Sequence, residues 1–221
     1  MRTAIISDIH GNLEAFQTVL ADIEQRNVTS MICLGDILGY GPDPVECVDL
    51  VIQHCEWSLM GNHDFGALYE PTNFNTVAEQ AAYWTRHQFE MVEDSDEAEA
   101  RWEFLGRLPV RLVFDRFLCV HGSPRRPINE YIFPEDAINS PPKLKQIFER
   151  VPSHCLVGHT HVPGVFTDEP DWYHADDLNG LYTFNENEKT IVNPGSVGQP
   201  RDLDPRASYA VYDAEQGHVE F

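Results

Sequence analysis

The stretch Thr3-Ala4-Ile5-Ile6-Ser7-Asp8-Ile9-His10 is a short apolar run that ends in two side chains able to bind a metal. Short runs rich in β-branched residues are typical of buried strands in α/β proteins. The loops that leave the carboxyl ends of such strands converge on one crevice of the sheet, where ligands bind. The stretch therefore predicts a strand that delivers Asp8 and His10 to a site.

Four further apolar runs end in the same way. They are residues 31–34 before Gly35-Asp36, residues 57–60 before Gly61-Asn62-His63-Asp64, residues 117–120 before His121-Gly122, and residues 155–157 before Gly158-His159-Thr160-His161. A single histidine in a loop is usually solvated or hydrogen-bonded. Five of the ten histidines lie in these junctions, however, accompanied by Asp8, Asp36 and Asn62, and this set favours an enzyme that holds two metal ions.

The donor types narrow the choice of metal. Imidazole, carboxylate and amide oxygen without thiolate suit divalent transition-metal ions (Mn, Fe, Zn, Co or Ni) better than a structural zinc site, which would use cysteines. No pair of cysteines has the spacing of a zinc knuckle. In hydrolytic sites with two metals the ions lie about 3.5–4 Å apart, and one carboxylate must bridge them. Asp36 is the natural candidate because it is the lone ligand of its junction.

The motifs, in this order, resemble those of the calcineurin-like metallophosphoesterases from Asp8 to at least Gly198. The resemblance implies that one metal is held by Asp8, His10, Asp36 and His161, and the other by Asp36, Asn62, His121 and His159. It also implies that His63 stays off the metals and protonates the leaving group or steadies the phosphoryl oxygens, while Asp64 could orient its ring. The implied fold class is α/β, a four-layer α/β/β/α sandwich of two mixed sheets.

One departure bears on the substrate. The protein Ser/Thr phosphatase branch reads Gly-Asp-x-x-Asp-Arg-Gly after its second strand, whereas here Gly35-Asp36 is followed by Ile37-Leu38-Gly39-Tyr40 and lacks that phosphate-clamping arginine. The chain is more similar to the small, single-domain bacterial and archaeal members. We therefore expect hydrolysis of a small phosphodiester or phosphomonoester through a metal-bridging hydroxide. Phosphoprotein or dinucleoside polyphosphate hydrolysis and a non-catalytic scaffold remain as alternatives.

The charge of the chain restricts its partners. A formal net charge of −21 disfavours a broad nucleic-acid surface, which depends on clustered Lys and Arg. Arg125 and Arg126 follow the His121 junction. A guanidinium can donate two parallel hydrogen bonds to phosphate oxygens, so both are candidates for binding a small phosphate-ester substrate. Surface solubility is the equally favoured alternative, and Arg201 has weaker support. Tyr40 either stacks on a base or covers its loop.

The length, the cysteines and the apolar content predict the broad class. A chain of 221 residues suits a single domain, residues 1–221, in which residues 65–106 form either a helical lid insertion or part of the core. The five cysteines are odd in number and three lie in predicted strands, which indicates buried thiols in a reducing compartment. No apolar run approaches the ~20 residues needed to cross a bilayer. We expect a cytoplasmic protein without membrane contact, and the oligomeric state is left open.

The periodicity of apolar residues predicts the remaining elements. Helices are expected at residues 13–25 with Asn12 as N-cap, after the Asp43-Pro44 cap, at residues 77–91, from a capping box at residues 94–97, and at residues 142–150. Residues 110–114 and 117–120 are separated by two residues, which predicts a hairpin. Strands near residues 164–166, 181–184, 190–192, 208–212 and 218–221 are expected to build a second sheet packed on the first.

Overall fold

The computed structural model describes residues 1–221. Its strands are β1 Arg2–Ile6, β2 Ser30–Cys33, β3 Trp57–Ser58, β4 Arg111–Phe114, β5 Phe117–Val120, β6 His154–Leu156, β7 Gly164–Thr167, β8 Asp171–His174, β9 Leu181–Thr183, β10 Thr190–Asn193, β11 Ala210–Asp213 and β12 His218–Glu220. Its helices are α1 Leu13–Ile23, α2 Pro44–His54, α3 Asn62–Leu68, α4 Thr76–Glu90, α5 Ser95–Gly106, α6 Asp136–Asn139 and α7 Pro141–Phe148.

The strands form two mixed sheets of six strands each. The first has the order β3-β2-β1-β11-β12-β9, in which β1, β2 and β3 run parallel and β11 is antiparallel to β1. The second has the order β4-β5-β6-β10-β7-β8, in which β5, β6 and β10 run parallel. The predicted βα units and the hairpin of β4 and β5 are thereby confirmed.

Successive residues of one strand belong to different apolar clusters, one on each side of the sheet. Ile5 of β1 lies in the apolar cluster between the two sheets, whereas its neighbours Ala4 and Ile6 lie in the cluster beneath α1 and α2. In β5, Phe117 likewise faces the first sheet while Leu118 packs toward α6 and α7. A strand buried on both faces needs such an uninterrupted apolar sequence. Three clusters thus hold four layers together, and the predicted α/β/β/α sandwich is confirmed.

One part of the predicted topology is wrong. The strands β9, β11 and β12 belong to the first sheet, because β11 pairs with β1 and places Val211 opposite Ala4. A period of two reveals which face of a strand is buried, but it does not reveal which strand lies beside it.

Several local elements also differ from the prediction. The predicted loop at Asn62 is the first turn of α3, the edge strand β8 and the short helix α6 were not foreseen, and Asp43 makes no side-chain cap bond to α2. The caps at Asn12 and Asp94 are present as predicted.

Four of the five cysteines are buried thiols. None of the helices combines the length and apolar character that a membrane crossing requires.

The segment predicted as a lid divides into two parts. Phe89 of α4 and Leu105 of α5 are fully buried in the cluster that also contains Val48 of α2, so both helices belong to the outer layer over the first sheet. A cavity beside the predicted metal ligands is instead lined by residues 72–75, which precede α4, and by Ala78 in its first turn. A lid function for residues 65–106 stays a prediction.

Candidate metal centre

The seven predicted metal ligands are brought together from five strand ends. Asp8 and His10 follow β1, Asp36 follows β2, Asn62 opens α3 beyond β3, His121 follows β5, and His159 and His161 follow β6. All seven side chains are buried. The expectation that distant residues meet at the carboxyl edge of the sheets therefore agrees with the geometry.

The ligand atoms form two groups that share one carboxylate. One group contains Asp8, His10, Asp36 and His161, and the other contains Asp36, His121 and His159, with the ligand atoms of each group within 4.8 Å of one another. The first group is the set that the family resemblance implies, and the second is the implied set without Asn62. Asp36 is the residue common to both.

Individual distances describe the centre in more detail. Asp36 Oδ2 lies 3.7 Å from His10 Nε2 on one side and 3.3 Å from His121 Nε2 on the other. Asn62 Oδ1 lies 3.3 Å from His121 Nε2, which adds the amide oxygen to the second group. His161 Nε2 lies 3.1 Å from Asp8 Oδ1.

Most of these ligands have an unusual backbone conformation. Positive φ angles occur at Asp8 (56°), His10 (51°), Asp36 (54°), His159 (67°) and His161 (60°). Only a few per cent of non-glycine residues adopt this left-handed region, which costs about 1–3 kcal/mol for each residue and is concentrated at functional sites. This conformation was not predicted, because none of the five residues is itself a glycine.

Backbone carbonyls hold three of the imidazoles in place. The Nδ1 atoms of His10, His121 and His161 bond to the carbonyl oxygens of Leu38 at 2.8 Å, Leu34 at 2.9 Å and Gln199 at 2.5 Å. Donation from Nδ1–H in each pair leaves the lone pair on Nε2 free to bind a metal. Gln199 was not identified from the sequence, since its backbone oxygen rather than its side chain makes the contact.

The fourth imidazole supplies a test of whether metal ions fit. Nε2 of His159 is buried and has no hydrogen-bond partner, although buried polar atoms are nearly always paired. A metal ion would satisfy it. Together with the carboxylate shared by both groups, the imidazole-rich donor set fits two divalent transition-metal ions.

Charges and burial determine the protonation states of these side chains in the absence of metal. Burial would lower the pKa of His121, but the neighbouring carboxylates of Asp36 and Asp8 outweigh it and raise the value to about 9. Burial lowers the pKa of His159 to about 3, and the charge of His121 adds to this effect. Burial would raise the pKa of Asp36, yet His121 and His63 hold it well below its usual range. The shared carboxylate is therefore ionised and His159 is neutral at pH 7, whereas His121 is protonated and would have to release a proton to bind a metal.

His63 lies beside the two groups without belonging to either. Its ring centroid is 4.9 Å from that of His10, 4.5 Å from that of Tyr40 and 4.8 Å from that of Phe74. Its Nδ1 is buried without a partner, and a Cβ on Gly39 would lie only 2.3 Å from it. Glycine at that position, where φ is +89°, therefore makes room for the ring.

The contacts of Asp64 do not support its predicted role. Its carboxylate accepts hydrogen bonds from the backbone N–H groups of Asp36 and Gly61, both at 2.9 Å, and of Leu38 at 3.1 Å. Both oxygens face the backbone of the Asp36 loop, so they do not orient the ring of His63. Asp64 instead fixes the loop that carries the shared carboxylate.

The arginines named from the sequence are placed differently from one another. Arg125 pairs with the carboxylate of Glu130 and donates to Gln146, which argues against a substrate-binding role. Arg126 has an exposed side chain, and its role stays a prediction. Burial raises the pKa of Tyr40, and the charge of Arg201 opposes this shift. Arg201 therefore lies within electrostatic reach of Tyr40, beside the centre.

Comparison with known proteins adds independent information. A sequence model described as the calcineurin-like phosphoesterase superfamily domain matches residues 1–217. The chain is 35% identical to an uncharacterised protein of Methanocaldococcus jannaschii over 98% of this chain and 84% of that protein.

Two solved structures extend the comparison. The crystal structure of a metallophosphoesterase from Sphaerobacter thermophilus is 38% identical and superimposes with a TM-score of 0.82, covering 100% of this chain and 87% of that one. A cold-active protein tyrosine phosphatase of a psychrophilic Shewanella species shares the fold alone, with 13% identity and a TM-score of 0.52 over 96% of this chain and 75% of that one. By its sequence, its fold and the match over nearly its whole length, this chain belongs to the calcineurin-like phosphoesterase superfamily.

Proposed function

We propose that the protein hydrolyses a small phosphodiester or phosphomonoester with the help of two divalent transition-metal ions. The observation that carries this proposal is the carboxylate of Asp36, which lies in both groups of candidate ligands. Asp8, His10 and His161 would complete one ion's ligand set, and Asn62, His121 and His159 the other's. When bound, such ions supply an activated water and neutralise charge on the phosphoryl oxygens.

The side chains around the ions have their own tasks in this proposal. His63 gives a proton to the oxygen of the departing alcohol. Because its Nδ1 is buried against Gly39, Nε2 is the atom that would deliver the proton. An imidazole suits this task because its ordinary pKa lies near neutrality. Burial lowers the pKa of His63, and the charge of Asp36 opposes this shift. Asp64 keeps the Asp36 carboxylate in position through three backbone N–H groups.

The charge distribution favours a small ester over a phosphoprotein. No Lys or Arg lines the cavity beside the ligands, and Arg125 is paired with Glu130. A phosphopeptide with further anionic groups would therefore meet a chain of net charge −21 without a cationic side chain in the cavity to receive it.

The proposal is tested by removing all metal with a chelator and reconstituting the protein with Mn²⁺, Zn²⁺ or Co²⁺. Hydrolysis of bis(p-nitrophenyl) phosphate should be absent before reconstitution and present after it, with kcat/KM at least tenfold above that for a phosphoserine peptide. Elemental analysis of the reconstituted protein should find two ions per chain. A protein that binds both ions but hydrolyses no ester would be a scaffold, and a tenfold preference for the peptide would favour protein phosphatase activity.

A further inference from the structure

A cavity of about 150 Å³ lies directly beside the candidate metal ligands. It is lined by Tyr40, Asn62, His63, Thr72, Asn73, Phe74, Asn75, Ala78, Asn129, Tyr131 and His159. Pockets that enclose a whole drug-sized ligand measure roughly 300–1,000 Å³. This cavity therefore has room for one group of a substrate. Since Asn62 and His159 line it, that group must be attached close to the reacting phosphorus.

Aromatic rings form much of its wall. Tyr40 and Phe74 contact the ring of His63, with centroid distances of 4.5 and 4.8 Å. Tyr131 stacks on the ring of His159, with centroids 3.7 Å apart and an angle of 22° between the planes. Flat apolar faces of this kind bind planar groups by stacking. The cavity thus offers aromatic surface, from Tyr40 and Phe74 above all, against which a planar ring can stack.

The polar lining of the cavity is neutral apart from the histidines. None of its lining residues is a lysine, an arginine, an aspartate or a glutamate. The side-chain amides of Asn73, Asn75 and Asn129 can donate and accept hydrogen bonds without adding charge. An anionic group would lose its hydration here and gain no ion pair, whereas an uncharged ring with polar edges would be satisfied.

We propose that this cavity binds the leaving group of the ester and selects an uncharged alcohol that bears a planar ring, as a nucleoside or an aryl alcohol does. We assign the cavity to the leaving group because it is lined by His63, which protonates the departing oxygen in the proposed function. In the reaction the P–O bond to this alcohol breaks, water supplies the new oxygen on phosphorus, and the alcohol departs with a proton. The assignment of the cavity to the leaving group rests on the proposed function.

Binding is tested first, in the absence of metal and of any reaction. Thymidine, an uncharged alcohol with a planar base, is added to the chelated protein and observed by saturation-transfer NMR. Its base protons should receive more saturation than its sugar protons. Phe74→Leu, which removes the flat face at similar volume, should reduce the signal at least threefold, and Phe74→Tyr should retain it. Val77→Leu is the matched control, because Val77 lies three residues after Phe74, in α4, but is 69% exposed and outside the cavity.

Selectivity is tested second, with two methyl phosphate diesters whose leaving groups have similar acidity. One leaving group is phenol and the other is hexafluoroisopropanol, which has no ring. The metal-loaded protein should prefer the phenyl ester in kcat/KM by at least tenfold, and Phe74→Leu should bring the ratio close to one. Circular dichroism melts of each variant establish that it is folded.

The outcomes separate the two proposals. If both diesters are hydrolysed at equal rates, or if Phe74→Leu leaves both the thymidine signal and the ratio unchanged, the leaving-group cavity is refuted while the hydrolase activity stands. If thymidine binds through Phe74 but no ester is hydrolysed, the proposed function fails while the preference of the cavity for planar, uncharged groups is supported. Absence of thymidine binding by the wild-type protein refutes that preference directly.

Discussion

Asp64 Oδ2 accepts a hydrogen bond from the backbone N–H of Asp36 at 2.9 Å, so one buried carboxylate holds the loop that presents the other. Asp64 is fully buried, and both of its oxygens are used by backbone donors. In the sequence it directly follows His63, and it was expected to orient that ring. In the fold it contacts the Asp36 loop instead, and it would influence metal binding by holding that loop in place.

Asp64→Asn should therefore weaken both the fold and the binding of metal. An amide has one acceptor oxygen, and its NH₂ group would face backbone N–H donors that now lack partners. Hydrogen bonds to charged groups and unsatisfied buried donors are each worth roughly 1–3 kcal/mol, so we expect a loss of about 3 kcal/mol in the free energy of unfolding. Loss of such an outer contact typically weakens metal affinity by about 10–100-fold.

Urea unfolding of the metal-free protein and calorimetric metal titration measure these two effects. The exposed Asp177→Asn is the control for the loss of one negative charge. A variant with unchanged metal affinity and an altered pH profile of activity would instead restore Asp64 as a partner of the His63 ring.

Asp36→Asn tests the shared carboxylate itself. The amide can keep the bond that Asp36 Oδ1 accepts from the backbone N–H of His63 at 2.8 Å, so the fold should persist. It supplies only one neutral ligand oxygen, however, and cannot bridge two cations. We expect fewer than two ions per chain after dialysis and at least a hundredfold loss of kcat. Elemental analysis that finds two ions in this variant would contradict the bridging role.

Much of the site was predictable because its determinants are local. A buried apolar strand and the ligand that follows it are adjacent in the sequence, and five such junctions could be recognised before any contact was known. That these ligands meet follows from where strand ends converge. The four-layer sandwich and the division of the ligands into two sets were implied by the family resemblance. The helices α1 and α5 carry their own signals, since Asn12 and Asp94 cap them as predicted.

The missed features depend on contacts between distant residues. Val211 pairs with Ala4 across the sheet, and nothing in either segment specifies the other as its partner. The carbonyl of Gln199 supports His161, and Tyr131 stacks on His159, although neither residue belongs to a recognisable motif. Residue type predicts which atoms can bind a metal, but not which backbone oxygen or ring will hold those atoms in place.

A pH effect on stability is expected from His154, which lies in β6, away from the metal ligands. Its ring is 3% exposed, and its Nδ1 lies 2.9 Å from Thr190 Oγ1. Burial lowers its pKa from 6.5 to about 4, and Arg116 adds to the shift. Since the fold prefers the neutral ring, its contribution is fully present above pH 6.5 and is lost as the pH falls toward 4. The shift corresponds to about 3 kcal/mol.

Urea unfolding of the metal-free protein at pH 7.5 and pH 4.5 checks this effect. His154→Gln should lose less stability between the two pH values than the wild type does. The exposed His87→Gln should behave like the wild type. Equal losses in all three proteins would show that carboxylates, and not His154, govern the acid sensitivity.

The last prediction concerns His63 as the proton donor. It contacts His10, Tyr40 and Phe74 but belongs to neither group of candidate ligands, so His63→Asn should retain both metal ions. General acid catalysis typically contributes about 10²–10⁴-fold, and kcat for an alkyl ester should fall by that factor. A p-nitrophenyl ester should lose far less, because p-nitrophenolate departs readily without a proton. Measurement of kcat on both esters, with elemental analysis of the same preparations, distinguishes the possibilities. Loss of a metal would make His63 a ligand, and an equal decline on both esters would make it a stabiliser of phosphoryl charge.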